Sequence, residues 1–143
     1  MFKTILLGLL LCVSGSLFAS ETPVEISRIS TSNYGTSFLV KSPAGVRVAM
    51  DPHKVVEGLV ADVITITHGH PDHMDNLFQE DMQELGVPVF TNHDKGAAWQ
   101  KDDVKISSVP GMHNPVPVTP EQPTNTIFVV ETAGLRIAHF GDL

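Results

Sequence analysis

The chain has 143 residues, with 16 acidic against 9 basic, a net charge of −7 and a single cysteine, Cys12. That balance leaves no basic footprint for nucleic acid, and the acidity is too dispersed to name a partner. Any bound metal must be held by His, Asp or Glu, because Cys12 falls in a leader that is expected to be removed.

Residues 1–19 read as a secretory signal peptide. Lys3 is the only charge in Met1–Ser20, Ile5–Val13 is apolar, and Ser14-Gly15-Ser16-Leu17-Phe18-Ala19 is mostly small. The apolar run is short for a membrane span of about 20 residues. Cleavage after Ala19 leaves residues 20–143 as one small secreted or periplasmic domain, with no stable membrane association expected. Nothing in the pattern specifies an oligomeric state.

Short strand-like runs follow, separated by turn signals. Val24–Ile29 alternates. Ser37–Lys41 and Val46–Met50 flank the hairpin loop Ser42-Pro43-Ala44-Gly45. Val63–Thr67 is an apolar, β-branched run suited to a buried strand. Asp72 is expected to cap a helix that begins near His73, runs towards Leu85 and stops at Gly86. Val87–Thr91 reads as a strand and Asp94–Lys101 as a second helix with Trp99 on its buried side. Val104–Val109, Thr126–Thr132 and Leu135–Phe140 read as strands, the last two joined at Ala133-Gly134. Between them, Pro110–Pro123 carries five prolines and must be irregular. Strands dominate and helices intervene, so the fold class is α/β and sheet-rich.

The run Thr67-His68-Gly69-His70-Pro71-Asp72-His73-Met74-Asp75 carries the chemistry. Three imidazoles and a carboxylate lie within six positions, directly after a buried strand, and neutral imidazole with carboxylate suits zinc or iron. His68 and His70 lie two apart, so in an extended segment they point to the same side. Pro71 disfavours helix at His70. Asp72 and His73 then fall on the turn into the helix, so one loop can serve two metals about 3.5–4 Å apart. The alternative for any single histidine is a solvated loop residue, and three at this spacing argue against it.

His68-Gly69-His70-Pro71-Asp72-His73 resembles the His-x-His-x-Asp-His motif of the metallo-β-lactamase superfamily at every defined position. Ala49-Met50-Asp51-Pro52 is similar to the early strand of that family ending in a structural Asp. Gly111-Met112-His113 stands where its next ligand His is expected, and His139-Phe140-Gly141-Asp142 is similar to its later Gly-Asp. The stretch Asn33-Tyr34-Gly35-Thr36-Ser37-Phe38-Leu39-Val40 resembles the opening strand pair of the small lactonase-like branch. The likeness covers about Val24 to Leu143.

The resemblance implies an αββα sandwich, of which this chain supplies roughly the N-terminal half to two-thirds. It implies His68, His70 and His113 on a first metal, Asp72 and His73 on a second, and Asp142 bridging both. A further family His lies beyond Leu143, so a C-terminally truncated chain is expected. Zinc is the expected metal, two ions in the intact protein, with iron or manganese as alternatives. The implied activity is hydrolysis of an ester, lactone or related small molecule by metal-activated water, with Asp72 orienting the nucleophile and carrying a proton. Two other readings stand beside it. One is a redox di-iron protein of the same fold, although that branch carries Glu where this chain has His70. The other is a non-catalytic metal-binding fragment.

Other residues have plainer readings. His53, after Asp51-Pro52, is expected on a surface turn, with a place in the pocket lining as the alternative; His93 is expected at a solvated helix start, and His139 in strand packing rather than ligation. Asp75 is either a first-turn helix acid or an acceptor behind a ligand imidazole.

Overall fold

The computed structural model describes residues 22–33, 37–94, 96–113 and 124–143. The signal peptide, residues 34–36 of the opening pair and residues 114–123 of the proline-rich loop lie outside the described residues. Among the described residues no helix is long and apolar enough to cross a membrane.

Nine strands and one helix are present among the described residues. The first sheet has the spatial order β1 (Glu25–Arg28), β2 (Phe38–Lys41), β3 (Arg47–Met50), β4 (Val63–Thr65), β5 (Val89–Phe90). β1, β2 and β3 form an antiparallel meander, whereas β3, β4 and β5 are parallel. α1 (Asn76–Glu84) lies between β4 and β5 in the chain, as a parallel crossover requires. The second sheet is antiparallel throughout: β6 (Ala98–Lys101), β7 (Val104–Gly111), β8 (Asn125–Thr132), β9 (Leu135–His139).

The period of two along each strand decides which face is buried where. In β3, Val48 and Met50 join Val63, Val104, Ile106, Phe128 and Val130 in a core shared by the two sheets. Ala49 faces the other way and packs with Ile64, Ile66, Phe78 and Met82, beneath α1. Central strands covered on both faces must be apolar throughout, which is why β4 reads as a continuous run. The layers are therefore helix, sheet and sheet. No helix covers the outer face of the second sheet among the described residues.

Two expectations are corrected. The helix cap is Asp75, not Asp72: its side chain accepts from the Phe78 amide, and α1 begins at Asn76. Asp72 stays in the preceding turn. The helix stops where expected, because Gly86 takes φ of 77° and two reversed hydrogen bonds close the end, Gly86 N to Gln83 O and Val87 N to Met82 O, both 2.9 Å. The second correction is Asp94–Lys101, which is no helix. Asp94 closes a turn by accepting from the Thr91 amide and hydroxyl, and Ala98–Lys101 is β6. Buried Ala97 and half-buried Trp99 alternate with exposed Ala98 and Gln100, a strand period that pairs with β7.

Two carboxylates lace the sheets together. Asp103, in the β6–β7 turn, accepts from the Ser42 hydroxyl at 2.6 Å and from Thr132 at 3.3 Å. Asp62, beside β4, pairs with Lys101 at 2.8 Å and Arg47 at 3.3 Å. The Ser42 hydroxyl holds the Asp103 carboxyl below its ordinary range. Burial works against ionisation at Asp62, but the Lys101 and Arg47 bonds overcome it and lower its pKa as well.

A depressed folded pKa gives stability that is present above the ordinary carboxylate value and lost as pH falls through the folded one. Thermal melts should therefore weaken below about pH 4, with a shallower acid limb in Asp103→Ala than in the parent. Phe128→Ala, at a fully buried site between the sheets, should cost about 3–5 kcal/mol in urea unfolding.

Candidate metal centre

The parallel strands β3 and β4 end side by side, and the chain beyond them builds one end of the sandwich. Ligands commonly bind outside the carboxyl ends of parallel strands. Asp51 follows β3 with φ of 45°, its amide donating to the Thr65 carbonyl at 2.8 Å. Its carboxylate is fully buried. Oδ1 accepts from the Thr67 amide at 2.7 Å. Oδ2 accepts from the Thr67 hydroxyl at 2.5 Å and from His73 Nδ1 at 2.7 Å. The Ser37 hydroxyl donates to the Asp51 carbonyl at 2.6 Å and fixes the backbone beneath.

These bonds set two tautomers. A carboxylate only accepts, so Nδ1 of His73 is the donor and its Nε2 lone pair is free. The Thr67 proton is committed to Asp51, so Thr67 Oγ1 accepts from His68 Nδ1 at 3.2 Å, and again Nε2 is free. His68 Nε2 is buried and has no hydrogen-bond partner. Burial, reinforced by His73, pushes the His68 pKa down and keeps it a neutral donor of electrons. Burial opposes charge on His73 too, yet the Asp51 bond and charge outweigh it and raise that pKa.

The second sheet supplies the rest. His113 lies just beyond β7, its amide bonded to the Thr124 hydroxyl at 3.0 Å and its Nδ1 donating to the Asp142 carbonyl at 3.0 Å. Asp142 follows β9 across Gly141, whose φ is 60°. A Cβ on Gly141 would collide with Asn125 Oδ1 and stand 2.5 Å from Thr67 Oγ1, so only glycine fits. The Thr126 amide donates to the Thr67 carbonyl at 2.8 Å and seats the second sheet on the histidine loop.

All six residues singled out in the sequence converge. One ligand atom each from His68, His70, His113 and Asp142 lies within 4.8 Å of the others. The rings of His68, His70 and His113 stand at the corners of a triangle, each pair 4.7 Å apart. Asp142 turns Oδ1 to His73 Nε2 at 3.3 Å and Oδ2 towards His68 Nε2 at 3.9 Å. Asp72 Oδ2 lies 3.9 Å from His73 Nε2. The donor set fits a divalent cation: converging imidazoles, a carboxylate with an oxygen for each side, and a buried nitrogen with nothing to bind.

The surrounding residues sort differently from expectation in one case. His53 is buried, not on a surface turn, and with Lys54, Asp72 and Met74 it lines a cleft of about 490 Å³ beside the cluster. His93 is exposed, in a turn. His139 packs inside, 3.5 Å from Asp51 Oδ2, and accepts from the Gly141 amide. Thr67 and Asn125 were not singled out from the sequence. A threonine beside the motif and an asparagine opening a strand carry no signal of their own.

Residues 31–143 match the family model described as the beta-lactamase superfamily domain. The chain belongs to the beta-lactamase superfamily. A crystal structure from Parabacteroides distasonis, named "putative metal-dependent hydrolase", matches this superfamily member at a TM-score of 0.56 and 21% identity. The match covers 82% of this chain and 60% of that one, so this chain spans less than two-thirds of that structure's length. At that identity the likeness speaks for the fold. No curated protein matches the chain.

In the metal-free chain, imidazole titration by proton NMR should find His68 below and His73 above the ordinary value near 6.5. The raised group stabilises the fold at low pH, and that contribution is lost as pH rises through its folded pKa. Asp51→Asn should remove the upward shift of His73 and weaken metal binding about 10–100-fold in chelator competition.

Proposed function

We propose that this chain carries most of the metal centre of an exported, metal-dependent hydrolase that acts on an ester, lactone or related small molecule. The observation that carries the reading is the Asp142 carboxylate. One oxygen faces His73, the other faces the buried, unpartnered Nε2 of His68. In this reading His68, His70 and His113 hold a first ion, Asp72 and His73 hold a second, and Asp142 is shared. The whole protein completes an αββα sandwich.

Zinc suits the site, since every donor is imidazole or carboxylate and hydrolysis requires no change of oxidation state. Bound zinc supplies Lewis acidity to a carbonyl oxygen and makes water ionise near neutral pH. The residues do the remainder. Asp51 and Thr67 hold His73 and His68 with Nδ1 as the donor and Nε2 aimed inward, the orientation a cation requires. Asp72 is half-exposed at the cleft, where its Oδ2 orients the attacking water and carries the proton to the leaving oxygen. His53 and Met74 wall the cleft through which a small substrate reaches Asp72.

Elemental analysis of protein purified without added metal tests the metal assignment. Zinc is expected, and stoichiometric iron with a visible chromophore would refute it. His70→Ala should lose metal and ester hydrolysis together, and full zinc content in that variant would sink the ligand set. Chelation should abolish hydrolysis, and added zinc should restore it.

A further inference from the structure

Asn125 opens β8 and is fully buried. It pairs across the sheet with Gly111, two residues before His113, and a Cβ on Gly111 would stand 3.1 Å from Asn125 Nδ2. Its Nδ2 donates to the carbonyl of Phe140 at 2.8 Å, two residues before Asp142. Its Oδ1 lies in the space that Gly141 leaves by having no Cβ, against Thr67, which precedes His68. One amide side chain thus sits among the three segments that deliver His68, His113 and Asp142, and it belongs to none of the ligands.

Its hydrogen bonding is one-sided. Nδ2 is used and Oδ1 is buried with no partner. A buried acceptor without a donor is a net cost, and an apolar side chain of similar shape avoids it. What such a side chain lacks is the donor to Phe140. The Phe140 carbonyl, followed by left-handed Gly141, fixes the direction in which the chain leaves β9 and so the reach of Asp142.

We infer that Asn125 is a positioning residue for the Asp142 carboxylate, acting through the Phe140 carbonyl and the Gly141 turn. It matters most on the side shared with His73, where Asp142 is a main donor. The three-imidazole side keeps His68 and His70 on the first-sheet loop and the His113 amide on Thr124, and it feels Asp142 through the His113 Nδ1 bond to its carbonyl and through Oδ2, 3.9 Å from His68 Nε2. The inference rests on the two-ion reading above.

The test uses the full chain with Asn125→Asp, which keeps the shape but turns an acceptor on Phe140, and Asn125→Ser, which withdraws from it. Cobalt(II) absorption and zinc calorimetry count the equivalents bound, and circular dichroism follows melting. The expected result is a second equivalent weakened by roughly tenfold or more, a first weakened clearly less, and melting above the titration temperature. Equal weakening of both equivalents, no weakening, or melting of both variants below the titration temperature overturns the inference. A parent chain that binds a single equivalent overturns the two-ion reading instead. The inference then stands only if both variants weaken that equivalent tenfold.

Discussion

A carboxylate with no exposure to water, at the end of a strand, must be paid for by donors, and Asp51 collects them from both ends of the histidine loop. A buried ion with unfilled acceptor positions costs several kcal/mol. Removing Thr67 or His73 therefore harms more than a single bond. The left-handed backbone at Asp51 adds strain that an ordinary strand end does not carry. The strain is sustained by the Thr65 and Ser37 contacts, and its result is two imidazoles with fixed tautomers. A neutral fold has little use for so costly an anchor, whereas a cation site does.

The centre is divided between two sheets. His68, His70, Asp72 and His73 come from the loop after β4, and His113 and Asp142 from the ends of β7 and β9. Neither sheet carries the full donor set. The core of Val48, Met50, Val63, Val104, Ile106, Phe128 and Val130 is thus part of the site's preorganisation, because it sets the separation of the two ligand groups. Ion binding at such a seam stabilises the docked sheets by mass action.

Sequence patterns carry unequal shares of this. The strands were legible from apolar runs and Gly or Pro punctuation, and the ligands from imidazole density after β4. Family resemblance extended the set to His113 and Asp142. What failed was local. Asp94–Lys101 has helix-compatible composition, and only the pairing of its second half, Ala98–Lys101, with β7 makes that half a strand. Local spacing makes Asp72 the cap and Asp75 a first-turn acid, and the true cap depends on which carboxylate the Phe78 amide meets. Thr67, Asn125 and the buried position of His53 depend on contacts between segments far apart in sequence, which no local pattern encodes.

The β8–β9 hairpin has one further consequence, a kinetic one. It is joined to the histidine loop by the Thr126–Thr67 bond and carries Asp142 at its far end. β9 is an edge strand, bonded to β8 alone among the described strands. Edge elements open locally at lower free energy than the whole fold. Fraying of β9 withdraws the Asp142 carboxylate without unseating the histidine loop of the first sheet. An ion held at this centre would exchange with solvent as that edge strand breathes, and the amide protection of β9 would be its clock.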